Sequence, residues 1–127
     1  MKIEEIRVGN WYLSTKWKKP VICDLTDLYE IYARCDGAYD DPPVDEIFEP
    51  LLLTEEWLLK LDFRITNMKN MYIKNWGNNG VEVIIIDYHY KGGFEYQLGN
   101  AKFKKVDYVH QLQNLFSALT GEELKTK

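Results

Sequence analysis

Apolar residues recur along this chain in two rhythms, and the change from one to the other divides it into elements. Near the end, Tyr108, Leu112, Leu115, Phe116 and Leu119 follow one another at spacings of three and four, which places them on one side of a helix as a stripe for docking. That helix is expected over 107–121. Asp107 is the expected N-cap, because a short carboxylate can accept from an unpaired amide of the first turn at the favourable end of the helix dipole. Gly121 is the expected stop, since the residue past a helix end often takes a positive φ that glycine adopts without penalty. Leu124 is expected to fold back onto this helix. A second helix is expected from Leu53 to Leu61, with Thr54 as its N-cap, Glu55 and Glu56 at the positive end of its dipole, and Leu53 closing against Leu58 as a hydrophobic staple.

Between the two helices the rhythm shortens. Strands are expected at 63–66, 71–76, 81–90, 94–98 and 102–106, separated by Asn67-Met68-Lys69-Asn70, Gly77-Asn78-Asn79-Gly80, Lys91-Gly92-Gly93 and Gly99-Asn100, all of them turn formers. The run from Val81 to Tyr90 is the longest apolar stretch, so it is expected at the centre of the sheet with the final helix over one face. In the first half, Trp11-Tyr12-Leu13 and Pro20-Val21-Ile22-Cys23 read as strands around the basic loop Ser14–Lys19, and Ile47-Phe48-Glu49 as a strand closing a small sheet. Leu28 to Arg34 satisfies both rhythms: Leu28, Ile31 and Tyr32 have helical spacing, while the aromatic and β-branched content suits a strand, which is the reading taken. Asp36 to Pro43 concentrates turn formers and ends in two prolines, so it reads as a loop. The expected fold is therefore α+β: a curled, β-rich part of SH3-like kind over 1–53, and then, over 54–127, a short linking helix and an antiparallel meander covered by the C-terminal helix. The two parts are expected to form one compact unit.

Composition changes this picture in one respect. The 127 residues suffice for one real core or two small ones sharing a wall. No apolar run approaches the roughly 18 residues of a membrane span, and the opening residues lack the basic region and apolar core of a signal peptide, so a cytoplasmic location is expected. Cys23 and Cys35 lack metal-type spacing and are expected as free thiols. The net charge of −4 is unevenly spread, with −5 over residues 1–53 and +1 over the rest. From Asp24 to Glu49 nine carboxylates face one base, Arg34, for a net of −8. Such a segment repels nucleic acid and attracts a basic surface.

Two stretches, LTEEWLLKLDF (Leu53 to Phe63) and YVHQLQNLFSALTGEEL (Tyr108 to Leu124), resemble segments of small phage and prophage proteins of Bacteroides-type bacteria, and Arg7-Val8-Gly9-Asn10 resembles their opening. Together these cover about a quarter of the chain. Where that family places glycine after the first helix, Asp62 stands here, a residue able to take the left-handed cap at some cost. The resemblance implies a phage origin and no particular activity.

No nucleophile elbow, phosphate loop, zinc-protease motif or dinucleotide fingerprint occurs, so no catalytic residue and no cofactor is expected. His89 and His110 have no ligand at metal spacing beside them, and the acidic segment lacks the alternation of a calcium loop, so no metal is expected. The expected function is that of a non-enzymatic phage protein binding a bacterial host protein, in its narrower form an anti-CRISPR-like inhibitor of an RNA-guided defence nuclease. Asp36, Asp40, Asp41, Asp45 and Glu46 would dock on a basic groove. The alternative is an accessory protein that holds nucleic acid through two lysine–aromatic clusters, Lys16-Trp17-Lys18-Lys19 and Lys102-Phe103-Lys104-Lys105, by ring stacking and phosphate contacts. The polar side of the final helix, with His110, Gln111, Gln113, Asn114 and Ser117, reads as solvent-facing or as a partner surface.

Overall fold

A computed structural model describes residues 1–34, 42–67, 70–76, 81–87, 93–98 and 101–126. After a single helical turn at Ile3–Glu5, strands β1 (Trp11–Ser14), β2 (Pro20–Ile22) and β3 (Phe48–Glu49) form an antiparallel sheet in the order β2-β1-β3. Tyr12 and Phe48 stack across its inner face with ring centroids 5.0 Å apart, and Ile6, Cys23, Ile31 and Val44 complete a small core. Among the described residues the sheet is open and has three strands.

The segment read as a further strand is a helix, α1 (Leu25–Ala33). Asp24 and Asp27 cap it reciprocally, each carboxylate accepting the other's backbone N–H at 2.9 Å, an arrangement that satisfies donors a strand would leave unpaired. Ile31 is buried and Leu28 packs on the same core, whereas Tyr29 and Tyr32 face solvent. The two tyrosines whose aromatic character favoured a strand are thus exposed, and the helical spacing of Leu28 and Ile31, which meet the core, decides the conformation.

Strands β4 (Arg64–Ile65), β5 (Met71–Trp76), β6 (Val81–Asp87), β7 (Phe94–Leu98) and β8 (Ala101–Val106) follow one another as an antiparallel meander with β6 at its centre, as the apolar run there predicts. Helix α2 (Glu55–Lys60) begins at Thr54, whose hydroxyl accepts from the Trp57 amide at 3.4 Å, and ends before Asp62 at φ 70°. Helix α3 (Val109–Thr120) lays Val109, Leu112 and Phe116 into the main core with Val83, Ile85 and Tyr96. Leu124 returns to this core as expected.

Gly121 closes α3 at φ 76°, but the N-cap is Tyr108 rather than Asp107. Gln111 Oε1 accepts from the backbone N–H groups of Asp107 and Tyr108 at 3.0 and 3.3 Å, serving the helix start from within. Asp107 is engaged one step earlier: its carbonyl accepts from Leu53 N–H at 2.9 Å, and Val109 N–H donates to the Leu51 carbonyl at 2.9 Å. The approaches to α2 and α3 are therefore zipped together by a short bridge, which fixes where α3 can start. Among the described residues no helix is long and apolar enough to cross a membrane.

Candidate functional site

The polar side of α3 is not a free surface. His110 and Gln113 are each only 1% exposed, because this side of the helix faces the turn at Ile3–Glu5 and strand β1. Gln113 Oε1 accepts from Trp11 N–H at 2.8 Å while its Nε2 donates to the Leu124 carbonyl at 3.0 Å. Asn114 Nδ2 donates to the Glu5 carbonyl at 3.2 Å, and its Oδ1 accepts from Asn10 Nδ2 at 2.6 Å. Polar residues at this position are required because β1 and the first turn present backbone donors and acceptors there, and buried polar groups must be paired. None of this was legible from helical periodicity, which finds the apolar side and leaves the remainder to be taken as solvent-facing.

His110 is the one member with catalytic chemistry. Its Nε2 lies 3.1 Å from Glu5 Oε1, and its ring stacks on Tyr108 at 5.9 Å and 10°. Burial lowers its pKa, with the Glu5 carboxylate opposing; the Lys2 amide bond, against some burial, holds the Glu5 carboxyl below its ordinary range, with help from His110. A carboxylate orienting a histidine is half of a general-base arrangement. The other half does not appear among the described residues, where Nδ1 is buried without a hydrogen-bond partner. The Cys23 thiol, pushed up to about 12 by burial and by Asp27 and Asp24, stays protonated at neutral pH. A cleft of about 460 Å³ beside the dyad is lined by Glu5, Lys105, His110, Gln111 and Asn114, but Glu5, Gln111 and Asn114 are engaged in the bonds above.

The dyad has a consequence for stability. A histidine whose folded pKa lies below its ordinary 6.5 binds its proton more readily when unfolded, so its contribution is complete above that value and is lost as pH falls towards the folded pKa. Glu5, lowered from 4.5, adds a loss of the same sign at more acid pH, which Asp27, raised mainly by burial, partly offsets. The denaturant midpoint should therefore fall between pH 7.5 and pH 5 by a proton-linked step that His110→Gln removes. A wild-type midpoint flat over that interval would show that the ring is solvated.

Of the acidic residues expected to dock, Asp36, Asp40 and Asp41 lie outside the described residues. Asp45 and Glu46 occupy a single helical turn, Val44–Glu46, and both are engaged: Asp45 Oδ1 lies 3.3 Å from the Met1 nitrogen and Glu46 Oε2 lies 3.3 Å from Arg34. Arg34 also holds Glu30 at 2.8 Å, so the one base of the segment ties α1 to the turn. Asp27, Glu30 and Glu46 line one groove of about 620 Å³ with Arg34, Lys16 and Trp17. Within it the Asp27 carboxyl is held above its ordinary range by burial, and the neighbouring Asp24 and Glu30 charges add to the rise against the Asp24 amide bond.

The lysine clusters fall on different sheets, one on the β1–β2 turn and one on β8. Trp17 is 64% exposed, with Lys16 Nζ 4.8 Å from its ring centroid. Lys18, itself exposed, pairs with Glu49 at 2.8 Å, and Lys105 lies 3.6 Å from Asp107; Lys19 is exposed. The side chains of Lys102 and Lys104 lie outside the described residues. Among the described residues no group of three or more His, Cys, Asp or Glu could hold a metal ion.

No family model, curated protein or solved structure matches the chain. The faces it presents must carry the functional reading by themselves. One of them escaped the sequence: Leu25, Tyr29 and Tyr32 stand on the outer side of α1 at 73%, 77% and 56% exposure. Their spacing of four and three was visible, but reading 28–34 as a strand dissolved it.

Proposed function

We propose that the protein is a non-enzymatic, phage-encoded binding protein that acts in the bacterial cytoplasm on a host protein, docking its acidic side on a basic surface. The observation that supports this reading best is the convergence of three carboxylates, Asp27, Glu30 and Glu46, on one groove against two bases, Arg34 and Lys16, with all three carboxylates drawn from a segment of net charge −8. A field of one sign speeds encounter with a surface of the other and disfavours nucleic acid as the direct ligand. In its narrower form the protein is an anti-CRISPR-like inhibitor, seated on the basic channel in which an RNA-guided nuclease holds nucleic acid.

The test begins with capture of the partner from host lysate and its identification by mass. Changing Asp45 and Glu46, both exposed, to the corresponding amides should leave the fold nearly intact, since exposed charges contribute little to stability; Asp40 and Asp41 are changed with them. Association should slow, and the deficit should shrink at high salt, because steering is screened beyond about 8–10 Å at physiological ionic strength. An unchanged association rate at low salt would make the acidic segment a solubilising surface.

A second reading is supported by the exposed Trp17 ring flanked by Lys16 and Lys19, which could stack a base and hold its phosphate. The pairing of Lys18 with Glu49 weakens it. If no oligonucleotide binds at low salt, this reading falls.

A further inference from the structure

We infer that the outer edge of α1, formed by Leu25, Tyr29 and Tyr32, is the apolar centre of the docking interface and seats in an apolar pocket of a partner protein bordered on one side by arginine or lysine. The inference rests on the reading above that the acidic side is the docking side.

Three features of α1 support it. The helix is anchored through its other edge, where Ile31 is buried and Leu28 packs on the small core, so the outer residues have no part in holding it to the sheet. Single exposed apolar residues are ordinary, but a contiguous row of one leucine and two tyrosines on one helix face is what interaction sites present, and tyrosine is enriched among residues that dominate binding energy. The helix is also fixed before any partner arrives, by the Asp24–Asp27 cap at one end and by Arg34 gripping Glu30 and Glu46 at the other; a preorganised element loses less freedom on binding.

Charge selects the occupant. With successive residues roughly 100° apart around a helix, Asp27 and Glu30 fall on the edge opposite Leu25, Tyr29 and Tyr32, where Arg34 closes the row and pairs with Glu30 and Glu46, and the exposed Thr26 and Ala33 lie between the two rows. A partner therefore meets an apolar row and a parallel row that stays net acidic, with Asp27, Glu30 and Glu46 against Arg34. An apolar pocket with a basic border complements both. A second copy of this chain would bring one segment of net charge −8 against another, and an anionic membrane surface would be repelled in the same way.

The experiment uses the whole chain, isotope-labelled for amide spectra, and two synthetic helical peptides of equal length and positive charge. One is built of leucine and lysine with an apolar face, the other of glutamine and lysine without one. The leucine–lysine peptide should bind roughly tenfold or more tightly than its counterpart, with amide shifts centred on residues 25–33, and the double change Leu25→Ser, Tyr29→Ser should bring its affinity down to that of the glutamine–lysine peptide. Both substitutions are at exposed positions, and an unchanged denaturation midpoint verifies the fold. Equal, salt-sensitive binding of the two peptides would overturn the inference and leave the acidic docking side standing. Failure of both to bind at low salt would remove the acidic docking side and the inference together. A dimer in sedimentation that Tyr29→Ser abolishes would assign the face to a second copy and overturn the inference by another route.

Discussion

Phe116→Ala should destabilise the protein by about 3–5 kcal/mol, the range for removing a buried aromatic ring whose cavity collapses only in part. Phe116 is buried on α3 within the cluster that also holds Leu112, Tyr96, Ile85 and Leu124, so its loss strips contacts from both the helix and the sheet beneath it. Chemical denaturation followed by far-ultraviolet circular dichroism reads the change as a lowered midpoint with an unaltered slope. An unaltered midpoint would mean that α3 does not cover the meander. Leu115→Ala should cost less, since Leu115 is only partly buried at the edge of the same cluster.

Gln113→Leu is the second large effect, and it runs against hydrophobic intuition. Leucine is apolar, close in size and a better helix former, and the site is buried; a packing argument alone predicts a gain. The side chain it replaces bonds Trp11 N–H and the Leu124 carbonyl. Removing it orphans a donor and an acceptor, and a buried group left unpaired costs about 1–3 kcal/mol. The expected result is a midpoint lowered far enough to rank beside Phe116→Ala. Gln113→Glu keeps the acceptor for Trp11 and, at a pH where the new carboxyl is protonated, an O–H donor within reach of the Leu124 carbonyl, so it should fall between leucine and the wild type there and lose stability as the carboxyl ionises. If leucine is tolerated without loss, the seam between α3 and β1 is wet.

These two positions also show where the sequence was legible. Phe116 belongs to a stripe of apolar residues at helical spacing, and any such stripe in a chain of this length has a core to cover, so the helix, its glycine stop and the meander beneath it could be read directly. Gln113 lies three residues before Phe116 on the same helix and is equally buried, yet a polar side chain is buried only when a particular backbone group arrives to meet it. Its partner Trp11 is 102 residues away. No local rule reports that distance. The same reasoning explains Asp107, a good cap in isolation but committed through its backbone to Leu53. At 28–34 propensity misled, because Tyr29 and Tyr32 are set for an exposed face. The acidic residues were found by counting, and counting could not show that Glu46 and Glu30 share Arg34.

The bond between Trp11 and Gln113 also bears on how the protein is made. A ribosome adds roughly 5–20 residues each second, so β1 leaves the exit tunnel seconds before the helix that completes its hydrogen bonding exists. During that interval Trp11 N–H and the Asn10 side chain lack their partners on the last helix and are held towards water or towards a chaperone, and the packing of the first sheet stays provisional. The nascent amino-terminal half is thus a waiting template, and commitment to the native state comes only when the last helix is released. A stalled chain that ends before Gln113 should be digested by protease along its whole length, whereas one extended past Leu124 and a tunnel-length spacer should resist.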